Sequence, residues 1–289
     1  MVFSHDEEEL VYVLRLVFGS INLVAIICIL LVYACVKELH YFMMRLVIYM
    51  LLSDLLRSAV LLLDSANPAE CTIQAVFLQY TLNCGVLWTL NIGVALYLRI
   101  VREEDAVEHK EGLMIGLGYG IPVALAVIPF FFHGYGRGGG WCWISNDHGD
   151  VVGLLLRVVC FYIPLLIVTC CCIVIYTRVI QAIREHLDGI EQEVETERVI
   201  SNRLVYYPMV LIVCYLPLFA KGAWEYFSES KAEFVFTAIT IVLAMSSGIL
   251  NVFIYGYNET VKHTINRWTR RQRTLSRISL PGVNPNNLV

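Results

Sequence analysis

Asp54 and Arg57 are the residues of this chain whose chemistry most needs a reason. They stand three apart in MLLSDLLRSAVLLL, so on a helix they share a face, and the apolar residues around them put both near the middle of a membrane-crossing segment. Each is costly alone in hydrocarbon, so the two are expected to neutralise one another. Two roles are open for them. One is a switch, with Asp54 sensing an ion and Arg57 contacting an anion; the other is a structural pair that holds helices together.

Other chemistries find less support. All seven histidines fall in loops or at helix ends, which argues against a histidine-based metal site inside the membrane. An intramembrane aspartyl protease needs two facing aspartates, and Asp54 has no clear Asp partner in the later apolar segments. No catalytic group, metal, cofactor or nucleic-acid partner is expected.

The elements that must position the pair are membrane helices. At 289 residues, 58% hydrophobic and 16% charged, with mean hydropathy +0.66, the chain is too apolar for a soluble domain of this size. Hydropathy places spans near 10–36, 43–65, 71–101, 112–133, 151–178, 203–227 and 232–257. The first run follows HDEEE without a basic leader region, so a cleaved signal peptide is not expected. Span seven has no lysine to hold a retinal, and no internal repeat of the kind carriers show is visible. The expected fold is an all-α membrane protein, a seven-transmembrane helix bundle with a short amphipathic eighth helix.

The Lys and Arg residues set the orientation. With the amino terminus outside, fifteen of the 21 fall in cytoplasmic segments, while Arg15, Arg137, Arg157, Lys221 and Lys231 lie outside and Arg57 within the membrane. The organisation expected is an extracellular tail over 1–9, the helical domain over 10–257, an amphipathic juxtamembrane helix over 258–273 and a disordered cytoplasmic tail over 274–289. In that tail Arg273 precedes Ser276 by three residues, making Ser276 and Ser279 candidate phosphorylation sites.

Span three, CTIQAVFLQYTLNCGVLWTLNIGVALYLRIVRE, is expected at the centre, because Asn83 and Asn91 are costly facing lipid. Eight of the ten cysteines lie inside spans, leaving Cys71 and Cys142 for the oxidising side and predicting a disulfide between them. It would pin the glycine-rich stretch HGYGRGGGWCWISNDHGD over the outer mouth of span three. Gly116, Gly118 and Gly120 suit close helix approach in span four, and Pro164, Pro208 and Pro217 suit kinks in spans five and six.

Several short motifs occur together: Cys71 opening span three, LWTLNIGVALYL at 87–98, GWCWIS at 140–145, YLP at 215–217 and NVFIYGYN at 251–258. In these the chain resembles the cyclic AMP receptor-like G-protein-coupled receptors, and the resemblance covers almost its whole length. Two departures stand out. Span three ends LYLRIVRE without an acidic-Arg-Tyr signature, and Asn251 to Tyr255 lacks the intervening proline of rhodopsin-like receptors. The resemblance implies an extracellular small-molecule ligand, an outward swing of helix six about Pro217, and a heterotrimeric G protein meeting Arg99, Arg102, Arg178 and Arg203 in the plasma membrane. Asp54, Asn251 and Tyr255 join Pro217 as candidate switch residues. If the ligand is anionic, as a cyclic nucleotide is, Arg57, Arg137, Arg157 and Lys221 are the cations available to it, with Trp141 and Trp143 to stack on a ring. A carrier or channel working through the Asp54 and Arg57 pair is the alternative from a different class.

Overall fold

Helix α3 (Pro68–Ile100) is the most enclosed of the described helices apolar enough to span a membrane. It starts with a well-made cap: Asn67 accepts the Glu70 N–H through its side chain at 2.8 Å, and Pro68 occupies the first turn, where its missing N–H costs nothing. Thirty-three residues make a rod about 50 Å long, more than the roughly 30 Å hydrocarbon core, so the helix tilts or projects. Asn83 and Asn91 are both buried along it, as expected of a helix lined by protein.

This computed structural model describes residues 5–63, 67–138, 141–145, 151–187, 206–227, 234–256 and 266–270. Around α3 stand α1 (His5–Cys35) and α2 (Phe42–Leu61), followed by α4 (Glu111–Ile115), which runs through a π-helical turn at Gly116–Gly120 into α5 (Ile121–Phe131). Next come α6 (Val151–Arg157), a second π-helical turn at Val158–Tyr162 and α7 (Ile163–Leu187), then α8 (Tyr206–Phe227) and α9 (Phe234–Gly256). Residues 266–270 are helical, and Trp268 packs against the apolar core.

Five segments of the described residues are long and apolar enough to cross a membrane: Glu9–Cys35, Pro68–Ile100, Val107–Phe131, Val151–Glu185 and Phe234–Ile254. Helix α2 carries Arg45, Asp54 and Arg57 along its 20 residues, and the apolar part of α8, Met209–Gly222, is shorter. Large apolar side chains face outward over the surface, with Phe131 74%, Val235 62% and Val174 60% exposed, an arrangement that lipid tolerates and water does not.

Helix α3 separates two apolar cores. On one side Leu78, Leu82 and Val86 meet Phe161, Leu211, Tyr215, Leu218 and Met245; on the other Trp88 and Ile92 meet Met50, Leu51 and Met114. The second packing depends on one glycine, because a β-carbon at Gly118 would lie 2.7 Å from the Trp88 ring, whereas Gly116 and Gly120 have open space. The expectation of close approach in span four therefore applies to Gly118 and not to Gly116 or Gly120.

The stretch after α5 forms a hairpin, which its glycine content concealed. Strands β1 (Tyr135–Gly138) and β2 (Trp141–Ile144) pair antiparallel, with Arg137 opposite Cys142 and Gly136 opposite Trp143. Trp-Cys-Trp-Ile is a favourable strand sequence.

Candidate functional site

The Arg57 side chain crosses from α2 to two other helices. Its Nη2 lies 2.6 Å from Asp54 Oδ1 on its own helix, its Nη1 donates to the Tyr215 hydroxyl of α8 at 3.0 Å, and Nη2 also donates to Ser247 Oγ of α9. The second oxygen of Asp54 accepts from Asn251 Nδ2 of α9 at 3.1 Å. Asp54 and Arg57 are each 1% exposed, so the expected mutual neutralisation is present, embedded in a larger network. The Ser247 hydroxyl donates to the Ala244 carbonyl at 3.2 Å. Helix α1 joins through Asn22, whose Nδ2 donates to Ser58 Oγ at 2.7 Å, while Ser58 donates to the Asp54 carbonyl at 2.9 Å.

Two glycines make room for these groups. A β-carbon at Gly248 would stand 2.5 Å from Asn22 Oδ1, and one at Gly85 would stand 3.0 Å from the Tyr215 hydroxyl. Tyr215 lies two residues before Pro217, whose ring interrupts the α8 hydrogen-bond ladder. The cross-helix bond and the flexible point of α8 are thus adjacent.

Towards the hairpin, Arg57 forms one wall of a narrow cavity completed by Leu61, Leu78, Leu82, Trp143, Leu218, Ala244 and Met245. The space holds about one water-sized molecule. Among the described residues Arg57 Nε has no hydrogen-bond partner, although the rest of its guanidinium is engaged. Trp143, 2% exposed, lines the same cavity.

Trp143 is held from three directions. Its Nε1 donates to Gln79 Oε1 of α3 at 2.8 Å, its ring meets Phe161 edge-on at 5.3 Å between centroids, and the Arg157 guanidinium lies 5.1 Å over it. Arg157 Nε also donates to the Ile144 carbonyl at 2.9 Å. Gln79 Nε2 and Asn83 Nδ2 reach the Cys160 carbonyl at 3.0 and 3.2 Å; this carbonyl lies within the π-helical turn, where the regular ladder is interrupted. One residue earlier, a disulfide joins Cys71 to Cys142 with Cα atoms 5.2 Å apart, the pairing the sequence predicts. Beside it Gln74 donates to the Val60 carbonyl of α2 and to the Leu63 carbonyl just after it, and accepts the Cys142 N–H at 3.3 Å.

The other predicted ligand contacts are dispersed. Arg157 and Lys221 are buried at 5% and 7%, Arg157 beneath the hairpin and Lys221 on α8. Arg137 and Trp141 lie on β1 and β2. The predicted coupling residues Arg99, Arg102 and Arg178 are exposed, whereas Arg203, Ser276 and Ser279 lie outside the described residues. Tyr255 falls in the last turn of α9.

At the opposite end from the hairpin, Arg45 of α2 grips Glu111 of α4 with Nε at 3.0 Å from Oε1 and Nη2 at 2.8 Å from Oε2, while the Tyr49 hydroxyl donates to the same carboxylate at 2.9 Å. Sequence reasoning missed this clamp, along with Asn22, Ser58, Gln74, Gln79 and Ser247. The signal available for most of them was a polar side chain within an apolar run, which in a membrane helix asks for a partner.

Similarity to known proteins agrees with this arrangement. The chain is 24% identical over 259 residues to Cyclic AMP receptor-like protein A of Dictyostelium discoideum, covering 89% of this chain and 67% of that one. It is 25% identical over 258 residues to G-protein coupled receptor 1 of Arabidopsis thaliana, covering 86% and 78%, and 25% identical over 169 residues to an ascaroside receptor of Arthrobotrys oligospora, covering 53% and 40%. Residues 21–255 match the model of the family described as 7 transmembrane receptor (rhodopsin family). That match spans the apolar helices and the Arg57 network, so this multi-pass membrane protein belongs to the seven-transmembrane receptor family.

Proposed function

We propose that the chain is a G-protein-coupled receptor that crosses the plasma membrane seven times, with residues 1–9 extracellular and 274–289 cytoplasmic. An external small molecule binds at the hairpin end, and a heterotrimeric G protein engages the opposite end after α8 swings outward about Pro217. The observation that carries this reading is the Arg57 guanidinium, which ties α2 to α8 through Tyr215 and to α9 through Ser247, two residues from Pro217 and beside a cavity under the hairpin. A ligand that favours a packing in which Arg57 and Tyr215 are apart shifts α8 by its differential affinity for the two packings.

Arg57 and Trp143 form the inner part of the ligand site, and Arg137, Trp141, Arg157 and Lys221 are its further candidate contacts. Asp54 and Asn251 hold Arg57 in place, and Tyr255 extends the switch towards the G-protein side. Arg99, Arg102, Arg178 and Arg203 offer positive charge to the G protein, the amphipathic segment 258–273 lies on the inner leaflet, and phosphorylation of Ser276 and Ser279 would alter the tail's charge. The relatives are named for different ligands, so cyclic AMP is not carried over to this chain.

The test is nucleotide exchange. The purified chain in lipid nanodiscs, combined with purified heterotrimeric G proteins and screened against small molecules, should accelerate GDP release with some of them. Solute flux through reconstituted vesicles, with no acceleration for any heterotrimer, would instead support a carrier or channel.

A further inference from the structure

Two amides of α3 converge on one carbonyl at the junction of α6 and α7. Gln79 Nε2 and Asn83 Nδ2, one turn apart and both buried, donate to the Cys160 oxygen at 3.0 and 3.2 Å. The sequence explains why this oxygen is available. In an α-helix it would accept from the N–H four residues on, and that residue is Pro164, which has none. The backbone widens into the π-helical turn at Val158–Tyr162 just ahead of the proline, and the amides of α3 stand in for the missing donor. A helix that has lost one of its own bonds and relies on a neighbour's side chain bends at low cost there.

Gln79 has a second engagement. Its Oε1 accepts the Trp143 indole N–H at 2.8 Å, so the hairpin fixes which way the carboxamide points: oxygen to the indole, nitrogen to Cys160. Asn83 divides its own amide between Cys160 and the Gln79 carbonyl, 3.0 Å away on the same helix, which leaves Gln79 as the more committed donor.

We infer that Gln79 couples the hairpin to α7. The position of Trp143 sets whether the Cys160 carbonyl is held, and so whether α7 pivots at the π-helical turn. This is a second hinge, distinct from Pro217 on α8. Below Pro164 the helix continues to Leu187, a lever of about 35 Å, so a tilt of about 5° moves its end by about 3 Å. Arg178 and Glu185 are exposed along that lever. An external occupant that displaces Trp143 therefore reaches the inner face through α7 as well as through α8, and only this use of the coupling rests on the receptor reading above.

The test needs neither ligand nor G protein. Spin labels at Asp105→Cys, beyond the end of α3, and Glu185→Cys, on α7, report their separation by pulsed dipolar EPR of the full chain in nanodiscs. The exposed free cysteines Cys28, Cys35, Cys170 and Cys171 are replaced by alanine in the background. Trp143→Phe, which removes the indole N–H and keeps an aromatic ring, should shift or broaden the distance by about 3 Å. Gln79→Met should do the same, and adding Trp143→Phe to it should change nothing further, because the route runs through Gln79. Pro164→Ala returns an N–H to the Cys160 carbonyl from within the helix and should make the distance insensitive to Trp143→Phe. If Trp143→Phe does not fold, Gln79→Met with and without Pro164→Ala carries the test: a shift in the first and none in the second. An unchanged distance in folded Trp143→Phe, additive shifts from the two substitutions, or full sensitivity in the Pro164→Ala background would each overturn the coupling. The two readings fail separately. A shift in a chain that stimulates no heterotrimer keeps the coupling and removes the receptor, whereas ligand-driven nucleotide exchange with no shift does the reverse.

Discussion

One guanidinium serves three helices, so individual substitutions around Arg57 should have separable effects. Asp54→Leu leaves a cation buried without its counter-charge and should cost about 3–5 kcal/mol of stability, as Arg57→Met should by stranding the carboxylate. The double variant, Asp54→Leu with Arg57→Met, should unfold at a higher temperature than either single variant, because no uncompensated charge remains. Thermal unfolding of the purified chain in one detergent checks the order; a double variant less stable than both singles would contradict mutual neutralisation. Tyr215→Phe is a different kind of change. It removes only the 3.0 Å bond from Arg57, worth about 1.5–3 kcal/mol in the packing that holds α8 inward, so basal nucleotide exchange should rise roughly tenfold without ligand. Unchanged basal exchange would mean that this bond does not restrain α8. The ion pair itself was legible because its members stand on one face within a single span. Tyr215 and Ser247 were not legible as its partners, being 158 and 190 residues away in the chain and joined to it by helix packing alone.

Helix contacts rest on small residues placed singly. Gly118 faces Trp88 so closely that Gly118→Ala should cost about 1–3 kcal/mol by overpacking, while Gly116→Ala and Gly120→Ala should be neutral or stabilising by up to about 1 kcal/mol, since alanine favours the helix and meets nothing there. Three melting temperatures settle the comparison, and equal losses at all three positions would mean that helix geometry, not the Trp88 contact, sets the requirement. The sequence displayed the Gly-x-Gly-x-Gly pattern without showing which glycine faces a neighbour, because that depends on the rotation of the helix about its axis. The same limit applied to the hairpin. Its glycines marked an irregular segment, yet the pairing of β1 with β2 depends on Trp143 reaching Gln79 and on Ser145 N–H donating to the Gly134 carbonyl at 2.7 Å. The central position of α3 was better specified, since buried amides in a long apolar run require protein on every side.

Across the whole molecule, the hairpin and the polar core form one continuous structure. Cys142 is bonded to Cys71, its neighbour Trp143 is hydrogen-bonded to Gln79, and Trp143 and Arg57 both line the cavity. Closing a loop of 71 residues restrains an unfolded chain by about 4 kcal/mol in the entropy model, an upper value here because helices that stay inserted in a membrane have less freedom to lose. The double variant Cys71→Ser, Cys142→Ser should therefore be less stable than the intact protein by less than that amount, with the hairpin still anchored through Trp143. Gln79→Leu alone should cost about 1–3 kcal/mol, because it strands the indole N–H while the disulfide keeps the hairpin seated. If the two anchors share the work of holding Trp143 over the cavity, removing both should cost more than the sum of the separate losses by at least about 0.5 kcal/mol, whereas independent anchors would add. Ligand affinity should follow the same rule, falling modestly with either anchor lost and steeply with both, since Trp143 then leaves the cavity wall. A double-mutant cycle on melting and on binding tests both parts. Strict additivity in each would show that the hairpin is fastened at two unrelated points and does not shape the cavity beneath it.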